Sequence, residues 1–155
     1  MKIISNNLNA TLSLFLSSGL LIGAYFLEFY LSLIPCDLCI KQRIVHISIL
    51  IFSLLIFPLF TFSKLKFIML SILNLLWLGS FSLAFYHFGI EKKMWQGFSK
   101  CSSNITFNEN TLDQLLSRSP IRCDETHFEL LNLSLAGWNG ILSIIIFIIL
   151  SYLLY

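Results

Sequence analysis

Four stretches of this chain carry no charged side chain: Ile3–Leu27, Ile44–Ser63, Phe67–Ile90 and Leu130–Tyr155, each 20 residues or longer. A helix of roughly 20 apolar residues crosses the hydrocarbon core of a bilayer. Inside lipid, every backbone polar group must be satisfied within the segment, and a helix does that. A soluble helical core is the alternative, but it needs polar faces that these stretches lack. The expectation is therefore an all-α membrane four-helix bundle. It forms a single transmembrane domain over residues 1–155, with spans at about 8–33, 40–62, 67–88 and 136–155. Between the third and fourth spans lies one long loop, about residues 89–135. Charged residues make up only 12% of the chain, against about 25% in ordinary soluble domains. The first apolar run is too long for a cleavable signal and no small-x-small site follows it, so it is expected to remain as a span.

Four spans put both termini on one side of the membrane and all four cysteines on the other. Lys2, Lys64 and Lys66 fall on the terminal side; Lys41, Arg43, Lys92, Lys93, Lys100, Arg118 and Arg122 fall with the cysteines. That count opposes the positive-inside assignment. Cysteine usage points the other way, because four cysteines on one face suit an oxidising compartment. The cysteine side is therefore expected outside the cytoplasm. The net charge of +2 is too small to suggest a nucleic-acid partner.

The chemistry concentrates in Pro35-Cys36-Asp37-Leu38-Cys39-Ile40-Lys41-Gln42-Arg43. Pro35 fixes φ and lacks an N–H, which suits the first turn of a helix. A helix starting there aims its free N–H groups and positive dipole end at Cys36 and Cys39, favouring thiolate. Cys39 and Arg43 are four apart, so a cation can sit beside the sulfur. His46 extends the same face; its two readings are a packing residue and a role near the cysteines. Glu28, near the end of the first span, reads best as an interface anchor beside Tyr25 and Tyr30. Just past the third span, Gly89 reads as a helix stop. Ser63–Lys66 reads as the shortest turn. In the long loop, Thr111–Leu116 reads as a short capped helix with an apolar edge of Leu112, Leu115 and Leu116.

Four cysteines allow three pairings. Cys36 and Cys39 form a local pair, and Cys101 with Cys123 would close the long polar loop. A zinc site of four thiolates is the rival, but its usual mark is two short-spaced pairs, and 21 residues separate Cys101 from Cys123. No metal is expected. Two structural disulfides in a membrane scaffold protein remain the alternative to a redox centre.

The Pro-Cys-x-x-Cys-x-x-x-Arg stretch at the start of a second span, with a second cysteine pair between spans three and four, resembles the DsbB family. Tyr86-His87-x-Gly89-x-Glu91 with Trp95, and Ala136-Gly137-Trp138-Asn139, resemble the exit of the third span and the start of the fourth in its shorter members. The resemblance covers nearly the whole chain; a charged cytoplasmic tail is missing. It implies a quinone-dependent thiol oxidase of the bacterial inner membrane, with its cysteines facing the periplasm. The partner would be a periplasmic DsbA-like dithiol protein, and the cofactor ubiquinone or menaquinone drawn from the membrane lipid. It further implies that Cys101 and Cys123 form the disulfide meeting the partner, with Cys101 making the mixed disulfide. Electrons then reach Cys36 and Cys39; Cys39 faces the quinone and Arg43 stabilises that contact. His46 and His87 are further candidates for the quinone pocket.

Overall fold

The computed structural model describes residues 2–58, 63–97, 123–124, 126 and 128–154. Among these, four long helices run in order: α1 Lys2–Leu31, α2 Asp37–Ile56, α3 Ser63–Glu91 and α4 Leu135–Leu154. All four are long and apolar enough to cross a membrane. The molecule is an all-α four-helix membrane bundle. The expected loop helix at Thr111–Leu116 and the candidate Cys101 lie outside the described residues.

What holds the helices together differs from a water-soluble bundle. Lipid tails are as apolar as leucine, so association rests on close packing and on polar contacts between helices. The core accordingly combines large apolar residues with small polar ones. Ala10, Ile49, Ile56, Leu73, Trp77 and Ile146 pack in one buried cluster. Ser13, Ser17, Ser53, Ser80 and Ser143 are wholly buried among the helices. Trp77 Nε1 donates to Ser13 Oγ at 3.1 Å, Ser80 and Ser143 hydroxyls meet at 3.0 Å, and Asn74 Nδ2 donates to Ser151 Oγ at 2.7 Å. Phe15, Ile22, Phe29, Leu54, Leu75, Ile148 and Tyr152 face outward, as a lipid-facing surface requires.

Several local expectations change in the structure. Helix α2 starts at Asp37, so Pro35 precedes the helix and Cys36 is its N-cap, at φ −76° and ψ 169°. Ser63–Lys66 forms the first turn of α3 rather than a connecting turn. Lys66 is buried there, and its Nζ donates to Asn7 Oδ1 at 2.6 Å. Gly89 does not stop α3. The helix runs on to Glu91 and closes with Met94 N–H bonded to Gly89 O at 2.8 Å and Lys93 N–H to Ile90 O at 2.9 Å. Lys93 takes φ 59°, the left-handed residue of a Schellman cap. Gly89 is needed for space instead: a Cβ there would lie 1.9 Å from the Trp95 ring. That ring folds back on α3, stacks on Tyr86 at 6.2 Å, and donates from Nε1 to Tyr86 O at 2.9 Å.

A two-stranded hairpin, β1 Glu129–Leu130 and β2 Leu133–Ser134, leads into α4. Its two turn residues, Leu131 and Asn132, take φ 54° and 62°, as a type I′ turn demands. Ser134 then caps α4: its Oγ accepts the Gly137 N–H at 3.1 Å while its hydroxyl donates to Glu91. This contact ties the end of α3 to the start of α4 at the same end of the bundle as Cys36.

Candidate thiol redox site

The N-terminus of α2 builds the site. Cys36, as N-cap, receives the Cys39 N–H on its sulfur at 3.4 Å. Both cysteines are free thiols, their sulfurs 3.2 Å apart. Cys36 is buried and Cys39 half-buried. The Cys36 thiol is held down to about 4. The hydrogen bond from the Cys39 thiol is the largest cause; burial opposes it, and His87 and the Cys39 N–H add to it. Cys36 is thus a thiolate at neutral pH, the form that exchanges disulfides.

Cys123 lies against this pair. It is disulfide-bonded and 1% exposed, and it shares a buried cluster with Cys36, Leu38 and Ile90. Cys39, Tyr86 and Trp95 pack around that cluster, which explains why Trp95 must fold back over Gly89.

Beside the sulfurs opens a cavity of about 280 Å³. Its walls come from all four helices and include Glu28, Cys39, Arg43, His87 and Asn139, with Phe128 from the segment before the hairpin. Arg43 is anchored from α1. Its guanidinium bonds to Glu28, donates to Ala24 O at 3.2 Å, and lies 4.7 Å from the centre of the Tyr25 ring. Glu28 is therefore the counter-ion of Arg43 rather than a separate interface anchor. Two thiols, a histidine and an arginine around one apolar cavity can exchange disulfides on one side and hold a flat polar-ended acceptor on the other.

His87 reaches the cysteines: its Nε2 is 3.5 Å from Cys36 Sγ and 3.6 Å from Glu91 Oε1. The donor atoms of Cys36, Cys39 and His87 all lie within 4.8 Å of one another, a spacing that a soft metal ion could also bridge. His46 lines the cavity but has both nitrogens occupied. Nδ1 is 3.2 Å from Ser17 Oγ and Nε2 is 3.0 Å from Asn139 Oδ1. The ring also packs edge-on to Trp77, with centroids 5.6 Å apart.

The family model described as disulfide bond formation protein DsbB matches residues 6–153. The chain belongs to the DsbB family. No curated protein and no solved structure gave a significant match. DsbB-family membership and the four spans make this a multi-pass membrane protein of disulfide bond formation, and they agree with the free cysteine pair at a helix N-terminus.

Three residues of this DsbB-family site carried no assignment in the sequence. Gln42 and Asn139 are buried between helices, and Glu91 contacts His87 and Ser134. A signal for them exists: an amide inside an apolar span is costly unless it has a partner. Which partner it has is not written in the span.

Proposed function

We propose that the chain is a quinone-dependent thiol oxidase that reoxidises a periplasmic DsbA-like dithiol protein. It would sit in the bacterial inner membrane with its cysteines on the periplasmic side. The observation that carries this reading is the packing of disulfide-bonded Cys123 against the free thiol pair, whose two cysteines line one cavity with Arg43.

The partner's dithiol reduces the Cys101–Cys123 disulfide, with Cys101 making the mixed disulfide. The thiols so formed reduce the Cys36–Cys39 disulfide by a second exchange, which the nearness of Cys123 and Cys36 favours. Each exchange moves two electrons and conserves the number of S–S bonds. Cys39 and Arg43 would hold the quinone ring, and the apolar walls from α1 and α4 would receive it from the bilayer. A quinone bound there would accept the two electrons that the pair gives up in closing its disulfide, with one proton coming from the Cys39 thiol and the other from solvent. His87 stands on the Cys36 side of the cavity, which favours a role in exchange over one in holding the ring.

The test is a reconstitution in detergent of the protein, a reduced Cys-x-x-Cys partner and ubiquinone, followed by quinone absorbance. Loss of quinone that needs both the partner and Cys39 is the expected result. Absence of loss, with both disulfides surviving mild reductant, would instead mean a scaffold with structural disulfides.

A further inference from the structure

Four buried polar side chains, His46, Asn139, Gln42 and His87, form a hydrogen-bonded chain that ends on Cys36. His46 Nε2 meets Asn139 Oδ1 at 3.0 Å. Asn139 Nδ2 donates to Gln42 Oε1 at 3.0 Å, and Gln42 Nε2 meets His87 Nδ1 at 3.1 Å. His87 Nε2 then faces Cys36 Sγ at 3.5 Å. All four of these polar residues are less than one-tenth exposed.

The chain runs in one direction. Asn139 Oδ1 also accepts the Ser143 hydroxyl at 3.3 Å. With its oxygen taken by the Ser143 hydroxyl, Asn139 turns its NH₂ to Gln42. Gln42 must then accept with its oxygen and donate with its nitrogen. An amide NH₂ has only protons to offer, so His87 Nδ1 is the accepting nitrogen. The proton of the neutral ring is left on Nε2, the atom aimed at Cys36.

We propose that Gln42 and Asn139 are positioning residues that lock His87 as its Nε2–H tautomer, so that the ring donates a hydrogen bond to Cys36 whenever that sulfur leaves a disulfide. The inference rests on the dithiol-oxidase reading above. When a thiolate attacks the sulfur bonded to Cys36, the old S–S bond breaks and a new one forms on the attacked sulfur. The electron pair stays on Cys36, and no proton has to move. Nε2–H meets the new charge directly, whereas the other tautomer would aim a lone pair at it. A hydrogen bond waiting where charge develops is the strongest kind of help a site of this sort offers.

The other groups facing this sulfur fit the same picture. The Cys39 thiol lies 3.2 Å away on α2. From α3, Glu91 Oε1 stands 3.6 Å from His87 Nε2, while its other oxygen is taken by Ser134. The Arg43 guanidinium, across the cavity, is bonded to Glu28.

The test is nitrogen NMR of reduced, ¹⁵N-histidine-labelled protein in detergent. The chain has three histidines, and the loss of signals in His87→Gln assigns that ring. Wild type is expected to show His87 protonated on Nε2. Gln42→Met removes the donor to Nδ1 at nearly constant volume, and Asn139→Leu removes the group that orients Gln42 without touching a cysteine or His87. Both are expected to spread His87 over the two tautomers. Both should also raise the midpoint of Cys36 alkylation by about one pH unit, a tenfold loss of thiolate over thiol. A purely structural role would leave the tautomer unchanged. An Nδ1–H ring in wild type, or variants that keep a pure Nε2–H ring, would overturn the inference. The wild-type spectrum decides even if a variant fails to fold. An Nδ1–H ring in protein that still reduces quinone sinks this inference alone, whereas absence of partner-dependent quinone loss sinks the oxidase reading.

Discussion

Replacing Cys39 with alanine should slow the capture of Cys36 by an alkylating reagent in mildly acidic solution. The Cys36 thiol titrates at about 4, against 9.0 for an unperturbed thiol, and the Cys39 hydrogen bond is the largest cause. A shift of about five units is worth about 7 kcal/mol of preference for thiolate, at about 1.4 kcal/mol per unit. If Cys39 supplies half of it, the Cys39→Ala midpoint rises to about 6.5. At pH 5 the thiolate fraction then falls from about 90% to about 3%, a drop of about thirtyfold. The sign follows from the lowered value: thiolate is present above the midpoint and lost as pH falls through it. Wild-type alkylation should therefore be flat from neutral pH down to about 5, then fall. The assay is iodoacetamide labelling against pH, read by mass spectrometry, under conditions that leave the Cys123 disulfide intact. The midpoint is the quantity to compare, because a thiolate of higher pKa is also the better nucleophile and distorts raw rates. A wild-type midpoint near 8, or one that Cys39→Ala leaves in place, would refute the reasoning.

Other substitutions test other parts of the molecule. Gly89→Ala puts a methyl group into the Trp95 ring, and the clash should outweigh the gain in helix propensity; a net loss of about 1–2 kcal/mol in thermal unfolding, with a shift in Trp95 fluorescence, is expected. Unchanged stability would mean that Trp95 does not pack there. Arg43→Met should raise the apparent KM for quinone about tenfold, and Glu28→Gln should do so to a smaller degree by releasing the guanidinium; KM values equal to wild type in both would remove Arg43 from the proposed quinone site. Cys101→Ala should stop oxidation of the protein partner while reduced Cys36 and Cys39 still react with quinone, and continued partner oxidation at the normal rate would end that division of labour. Ser134→Ala removes the cap of α4 and should cost about 1 kcal/mol in unfolding, whereas no measurable change would show that the Ser134 contacts to Gly137 and Glu91 are dispensable.

The parts of this protein that were legible in the sequence are those that depend on local sums. Four uncharged runs are apolar enough to span a membrane wherever they pack, so their number and approximate positions follow from composition along the chain. The Cys-x-x-Cys-x-x-x-Arg spacing is likewise local, since residues four apart on a helix share a face. Helix ends were less legible, because they depend on capping. Cys36 takes the N-cap, which leaves Pro35 before the helix rather than in its first turn, and α3 runs past Gly89 to a cap at Lys93.

What only the tertiary structure decided is which buried polar groups meet. In a water-soluble helix the apolar stripe points to the core and reports its rotation. In these spans the lipid-facing and inward faces are both apolar, so the sequence carries little record of how each helix is turned about its axis. Arg43 could be placed near Cys39 by spacing, but its pairing with Glu28 of α1 depends on how two helices face each other. His46 lay on the cysteine face by count, yet Ser17 and Asn139 occupy its two nitrogens. His87 and Gln42 stand 45 residues apart, and Gln42 and Asn139 stand 97 apart. Their contact exists only once α2, α3 and α4 are packed with their polar sides inward, because lipid offers an unpaired amide no partner.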